Sequence, residues 1–143
     1  MQTAELSIST HRRTEFLPCS QQIMDTISCN GWLDGVLTIF VPHTTAGVTV
    51  NENADPDVAR DMEGYFERLV PQDAGFRHAE GNSDAHIKAS LIGASQQVII
   101  KGGRLCLGIW QGIYFCEFDG PRQRKLHVAF VGTSTAPELE PQI

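Results

Sequence analysis

Hydrophobic positions in this chain change period several times, and each change marks an element. Near the start Leu6 and Ile8 alternate with polar neighbours, which predicts a half-buried strand over residues 5–10. From residue 20 the spacing becomes helical. Ile23, Met24 and Ile27 share one face, and Asn30-Gly31 supplies a left-handed stop, predicting a helix over 20–29. Residues 36–41 are almost continuously apolar and residues 47–51 are β-branched, so two strands are expected, joined through Pro42-His43-Thr44-Thr45.

The clearest helix is expected over residues 56–70. Asp55 can cap it, Pro56 suits the first turn, and Val58, Met62, Phe66 and Leu69 recur at helical spacing. Pro71 ends it, and residues 72–82 carry no period and predict a loop. A third helix then starts at Ser83 or Asp84, carries Ile87, Leu91 and Ile92, and closes at Gly93. Strands over 97–101 and 104–110 flank Gly102-Gly103, a two-residue hairpin signal. Strands over 112–118 and 124–131 flank a second turn at Asp119-Gly120-Pro121. About seven strands and three helices in mixed order predict a β-rich α+β layered fold.

Length and balance narrow the picture. With 143 residues, 41% hydrophobic and 20% charged, the chain fits one domain spanning residues 1–143, with a flexible tail expected over 133–143. A formal charge of −6 argues against a protein that coats nucleic acid, yet leaves an anionic small molecule open, since a few local cations can serve a pocket. No apolar run is long enough to span a membrane, and Met1-Gln2-Thr3-Ala4-Glu5 lacks a secretory pattern. Cys19, Cys29, Cys106 and Cys116 form no CxxC pair, so reduced thiols and a cytoplasmic location are expected. Cys106 and Cys116 fall in apolar strands and are expected to be inert core residues.

Candidate chemistry gathers in four places. His43 ends a strand, His78 lies in the long loop and His86 in the first turn of a helix; three imidazoles can hold Zn²⁺ with a fourth position free. Taken singly, each histidine is more commonly a surface or hydrogen-bonded residue. The segment from Glu80 to Lys88, with Asn82, Asp84 and His86, surrounds a helix start, a natural seat for phosphate; a capping Asp84 with an i,i+4 partner Lys88 is the plainer alternative. Glu52 leaves a strand as a candidate base or metal ligand. In Gly108-Ile109-Trp110-Gln111-Gly112, Trp110 suits core packing or stacking on a heteroaromatic ring, and Gln111 can supply an amide contact. Arg122 and Arg124 follow the second turn and are available to an anion.

Taken together, these blocks resemble the YjbQ family: His43-Thr44-Thr45-Ala46, Asn51-Glu52-Asn53, Asp84-Ala85-His86-Ile87-Lys88, Gly108-Ile109-Trp110-Gln111-Gly112 and Gly120-Pro121-Arg122, in order along almost the whole chain. The pattern departs from the family at Ile109 and at Phe118. The resemblance implies a β-sandwich-like domain with about three flanking helices, assembled as a homotrimer. It also implies a polar cluster able to hold a divalent metal, Zn or Mg, or an anion, corresponding here to His43, His78 and His86. The resemblance further implies a weak secondary thiamine-phosphate synthase activity, joining a hydroxymethylpyrimidine diphosphate to a thiazole phosphate. On that scheme Glu52, Asp84, His86 and Lys88 are the expected catalytic residues. Thr45, Asn82, Trp110, Gln111 and Arg122 are expected to hold the phosphorylated small-molecule substrate. The alternatives are a zinc-dependent hydrolase and a non-catalytic metabolite- or metal-binding trimer. Neither nucleic acid nor membrane is an expected partner.

Overall fold

The computed structural model describes residues 1–135. The elements run β1 (Gln2–Ser9), β2 (Glu15–Pro18), α1 (Ser20–Asn30), β3 (Trp32–Phe40), β4 (Ala46–Glu52), α2 (Pro56–Leu69), α3 (Ser83–Ile92), β5 (Ser95–Lys101), β6 (Arg104–Leu105), β7 (Gln111–Glu117) and β8 (Gln123–Ser134). Two antiparallel sheets result, one ordered β1-β8-β3-β5-β6 and the other β2-β7-β4. The fold is an α+β, β-rich sandwich-like domain.

The main core lies where the sheets face each other. Leu6, Leu37, Ile39, Val98, Ile100, Leu126, Val128 and Phe130 of the larger sheet meet Val48, Ile113 and Phe115 of the smaller, with Ile23 and Ile27 of α1 beside them. A second core lies behind the smaller sheet, where Phe16, Tyr114, Cys116 and Phe118 take Ala59, Met62 and Phe66 of α2 and Ala85 and Ala89 of α3. Because β7 is covered on both faces, it reads as a nearly continuous apolar run.

Local signals explain most boundaries. Gly31 closes α1 in the left-handed conformation at φ 63°, and the Asp55 carboxylate accepts from the Asp57 N–H at the start of α2. Gly102 and Gly103, both at positive φ, make the tight turn between β5 and β6.

Several expectations are corrected. The strand over residues 15–18 went unanticipated, because a four-residue strand ending in Pro18 shows no usable alternation. β6 stops at Leu105, and residues 106–110 leave the sheet, so Cys106 is exposed and is no core residue. Met24 and Leu69 are exposed although they share helical spacing with buried neighbours. The third helix turns the opposite face inward: Asp84, Ala85, Lys88 and Ala89 are buried, while Ile87 and Leu91 are exposed. Its small alanines seat it against the smaller sheet, and its buried charges pair with each other. Thr133 and Ser134, expected in a flexible tail, are the last residues of β8 and face Asp34 and Trp32 of β3. Thr135 donates its N–H to the Gly31 carbonyl at 2.8 Å, and residues 136–143 of that expected tail lie outside the described residues.

Candidate functional site

An open cleft of about 580 Å³ lies between the β3–β4 connection, the start of α3 and the β7–β8 turn. His43 and Thr45 come from the first, Asn82 and His86 from the second, and Asp119, Arg122 and Arg124 from the third or the strand after it. Four residues expected to bind substrate or metal from separate blocks thus line one cleft with Arg122.

Arg124 forms the floor. Its Nε donates to Glu117 Oε1 at 2.8 Å, and a terminal nitrogen donates to Glu117 Oε2 and to the Thr45 hydroxyl, the latter at 2.8 Å. Glu117 also accepts from the Thr10 hydroxyl and from the backbone N–H groups of Phe118 and Asp119. A buried carboxylate so supplied with donors is fully compensated.

Arg122, which the sequence leaves available to an anion, is tethered in the fold. Its Nε donates to the Asp119 carbonyl and a terminal nitrogen to Asp119 Oδ2, each at 2.8 Å. Asn82 Nδ2 donates to the same Oδ2 at 2.9 Å, and Arg13 holds Oδ1 at 3.1 Å. Half of the Arg122 side chain stays exposed to solvent.

His43 accepts the Lys125 N–H at Nε2 over 2.9 Å, so the neutral ring carries its hydrogen on Nδ1. Burial lowers its pKa from the ordinary value, and the nearby Arg124 charge lowers it further. His43 is therefore neutral at pH 7.

The remaining expected residues lie elsewhere. His78 is edge-on to His86 with ring centroids 5.6 Å apart, and His78 Nε2 lies 3.7 Å from the Glu80 carboxylate. Among the described residues no three His, Cys, Asp or Glu side chains form a group able to hold a metal, so His43, His78 and His86 do not make one ligand set within the chain. Asp84 and Lys88 pair with each other away from the cleft, lining a smaller pocket. Trp110 is exposed, Gln111 Oε1 accepts the Gly108 N–H and closes its own turn, and Glu52 is fixed by its carbonyl, which accepts the Tyr114 hydroxyl. None of these three lines the cleft.

Sequence reasoning missed Asp119. The signal was its i,i+3 spacing to Arg122 across the Gly120-Pro121 turn, a distance over which a carboxylate and a guanidinium meet. Glu80, on the segment that leads into α3, also lines the cleft.

A sequence model described as "UPF0047 protein YjbQ-like" matches residues 4–133. The chain is 51% identical over 125 residues to the UPF0047 protein MJ1081 of Methanocaldococcus jannaschii, covering 87% of this chain and 91% of that one. It is 48% identical to the UPF0047 protein YugU of Bacillus subtilis, over 89% and 97% of the two chains. Among solved structures, an uncharacterized conserved protein of the YjbQ/UPF0047 family from Clostridium acetobutylicum superposes with a TM-score of 0.86 at 49% identity, over 90% of this chain and 99% of that one. A hypothetical protein from Aeropyrum pernix K1 superposes at 0.89 with 36% identity, over 93% and 100%.

Proposed function

The chain belongs to the UPF0047 YjbQ-like family, and on that premise we propose that its cleft binds a phosphorylated small molecule and catalyses a transfer of the thiamine-phosphate synthase type. In that reaction the thiazole nitrogen attacks the pyrimidine-methyl carbon. A C–N bond forms, the C–O bond to the diphosphate breaks, and pyrophosphate leaves. The step needs neutralisation of the leaving group more than it needs a protein nucleophile.

One observation carries the reading: on the cleft wall Arg122 keeps half of its side chain open to solvent, while its one carboxylate partner, Asp119, is also held by Arg13 and Asn82. Glu80, the other acid on the cleft, is a solvent-exposed rim residue whose charge water screens. Arg122 is the group with exposed donors for a diphosphate, Asn82 and Thr45 frame it, and neutral His43 offers Nδ1–H as a donor. The zinc-hydrolase alternative requires His43 to join His78 and His86, which the fold does not do within one chain.

We also propose a homotrimer, a reading supported by the exposed Val36, Phe40, Ile99 and Val131 on β3, β5 and β8. Light scattering tests this against three times the chain's 15.7 kDa. The catalytic reading is tested by incubating the protein with the two phosphorylated precursors and following pyrophosphate release. Release by the parent chain and its loss in Arg122→Ala is the expected result. Tight binding without release favours the non-catalytic module, and neither binding nor release overturns the reading.

A further inference from the structure

α3 has two polar sides. Asn82 and His86 face the cleft, whereas Asp84 and Lys88, two positions out of step, face away into a separate pocket of about 230 Å³. That pocket is lined by Arg13, Thr14, Glu67, Gln72, Asp84 and Lys88.

Its donors are not used up. The Lys88 side chain is 3% exposed, yet among the described residues its Nζ makes a single hydrogen bond, to Asp84 Oδ2 at 2.8 Å, and an ammonium has three N–H groups to place. The Thr14 residue is 5% exposed, and its hydroxyl has no partner among the described residues. Arg13 spends one terminal N–H on Asp84 and one on Asp119, leaving others of its five free. Asp84 has both oxygens committed, one to Lys88 and one to Arg13. Glu67 is the other acid of the lining, and it stands exposed on α2, where solvent screens it.

From this the geometry points to a second anion site, distinct from the cleft: a pocket in which Lys88, Arg13 and Thr14 bind a small tetrahedral oxyanion such as inorganic phosphate. A buried ammonium with two unmet donors beside an unpartnered hydroxyl and a forked guanidinium presents donors on three sides. Phosphate offers acceptors in that arrangement, and the pocket has room for one. Asp84 holds the two cations apart rather than neutralising both. The assignment does not rest on the transferase reading of the cleft.

Equilibrium dialysis with labelled inorganic phosphate tests it, using Arg122→Ala to disable the cleft. The expected result is that Arg122→Ala still binds one phosphate, and that adding Asp84→Asn with Lys88→Met, which removes both charges together, abolishes it. Thr14→Val, nearly isosteric and touching no ion pair, is expected to weaken the remaining site about fivefold. Should the triple variant fail to fold by circular dichroism, Thr14→Val in the Arg122→Ala background decides alone. Loss of all phosphate binding in Arg122→Ala overturns the second site while leaving the cleft standing. So does unchanged affinity in Thr14→Val, or retained binding in a folded triple variant. Identical single-site binding by the parent chain and Arg122→Ala supports the second site and removes phosphate from the cleft.

Discussion

Arg124 grips Glu117 with two nitrogens, and neither side chain is more than 4% exposed. The pair joins the end of β7 to the start of β8 and supports the cleft floor. Removing one partner strands the other charge in a low-dielectric interior. Glu117→Gln is therefore expected to lower unfolding free energy by about 3–5 kcal/mol, read from urea denaturation. A loss under 1 kcal/mol would show that water reaches the pair.

Arg122 and Trp110 separate the cleft from the remaining motif residues. Arg122→Ala is expected to weaken pyrophosphate binding by roughly ten- to a hundredfold, the scale of a lost charged hydrogen bond. Trp110→Phe, altering a side chain outside the cleft, should leave the affinity within about twofold. Isothermal titration of both variants against pyrophosphate checks the pair of outcomes, and a large Trp110 effect would put that residue back into the site.

The His43 environment sets a pH dependence. Burial and the Arg124 charge disfavour its imidazolium, so the folded protein binds this proton less readily than the unfolded chain does. Its contribution to stability is therefore intact above about pH 6.5 and is lost as the solution is acidified below that value. His43→Gln should flatten this part of the stability–pH curve. Heteronuclear NMR of the imidazole in the parent protein should give a midpoint below the ordinary 6.5.

Thiol reactivity should divide evenly. Cys29 and Cys106 are exposed, whereas Cys19 and Cys116 are buried. Burial pushes Cys19 up to about 12 and raises Cys116 well above its ordinary value. Dithionitrobenzoate should consume two thiols quickly in the native protein and four only after denaturation.

Gly35 and Gly132 stand opposite each other just past the register shift that β3 makes against β8 between Trp32 and Asp34. A Cβ on Gly132 would fall 2.0 Å from the Asp34 carbonyl oxygen, and one on Gly35 would fall 2.1 Å from that of Val131. Backbone must move to admit either. Gly132→Ala is expected to cost about 1–3 kcal/mol or more by denaturant titration.

Where a local physical signal exists, the chain announces its structure. Gly31, Asp55 with Pro56, and Gly102-Gly103 each encode a boundary that needs no distant partner. β2 and the orientation of α3 have no such signal. Glu15 and Lys88 look like solvent-facing charges until Glu15 is found buried with His11 bonded to it, and Lys88 buried on Asp84. The site follows the same division. His43, Asn82, His86 and Arg122 stood out as polar groups at element ends, which is where a cleft forms. Asp84 and Lys88 stood out equally and went elsewhere, because at about 100° per residue a two-residue offset carries a side chain to the far side of its helix.

β8 is the common partner of β1 and β3, joining Gln2–Ser9 on one side and Trp32–Phe40 on the other. A chain emerging from the ribosome therefore exposes two strands with no bridge between them until β8, at Gln123–Ser134, has followed. The larger sheet cannot close during synthesis of the first half, and its apolar inner face must be shielded by chaperones or tolerated as a transient. Among the described residues, the last strand made is the one on which assembly of the first depends.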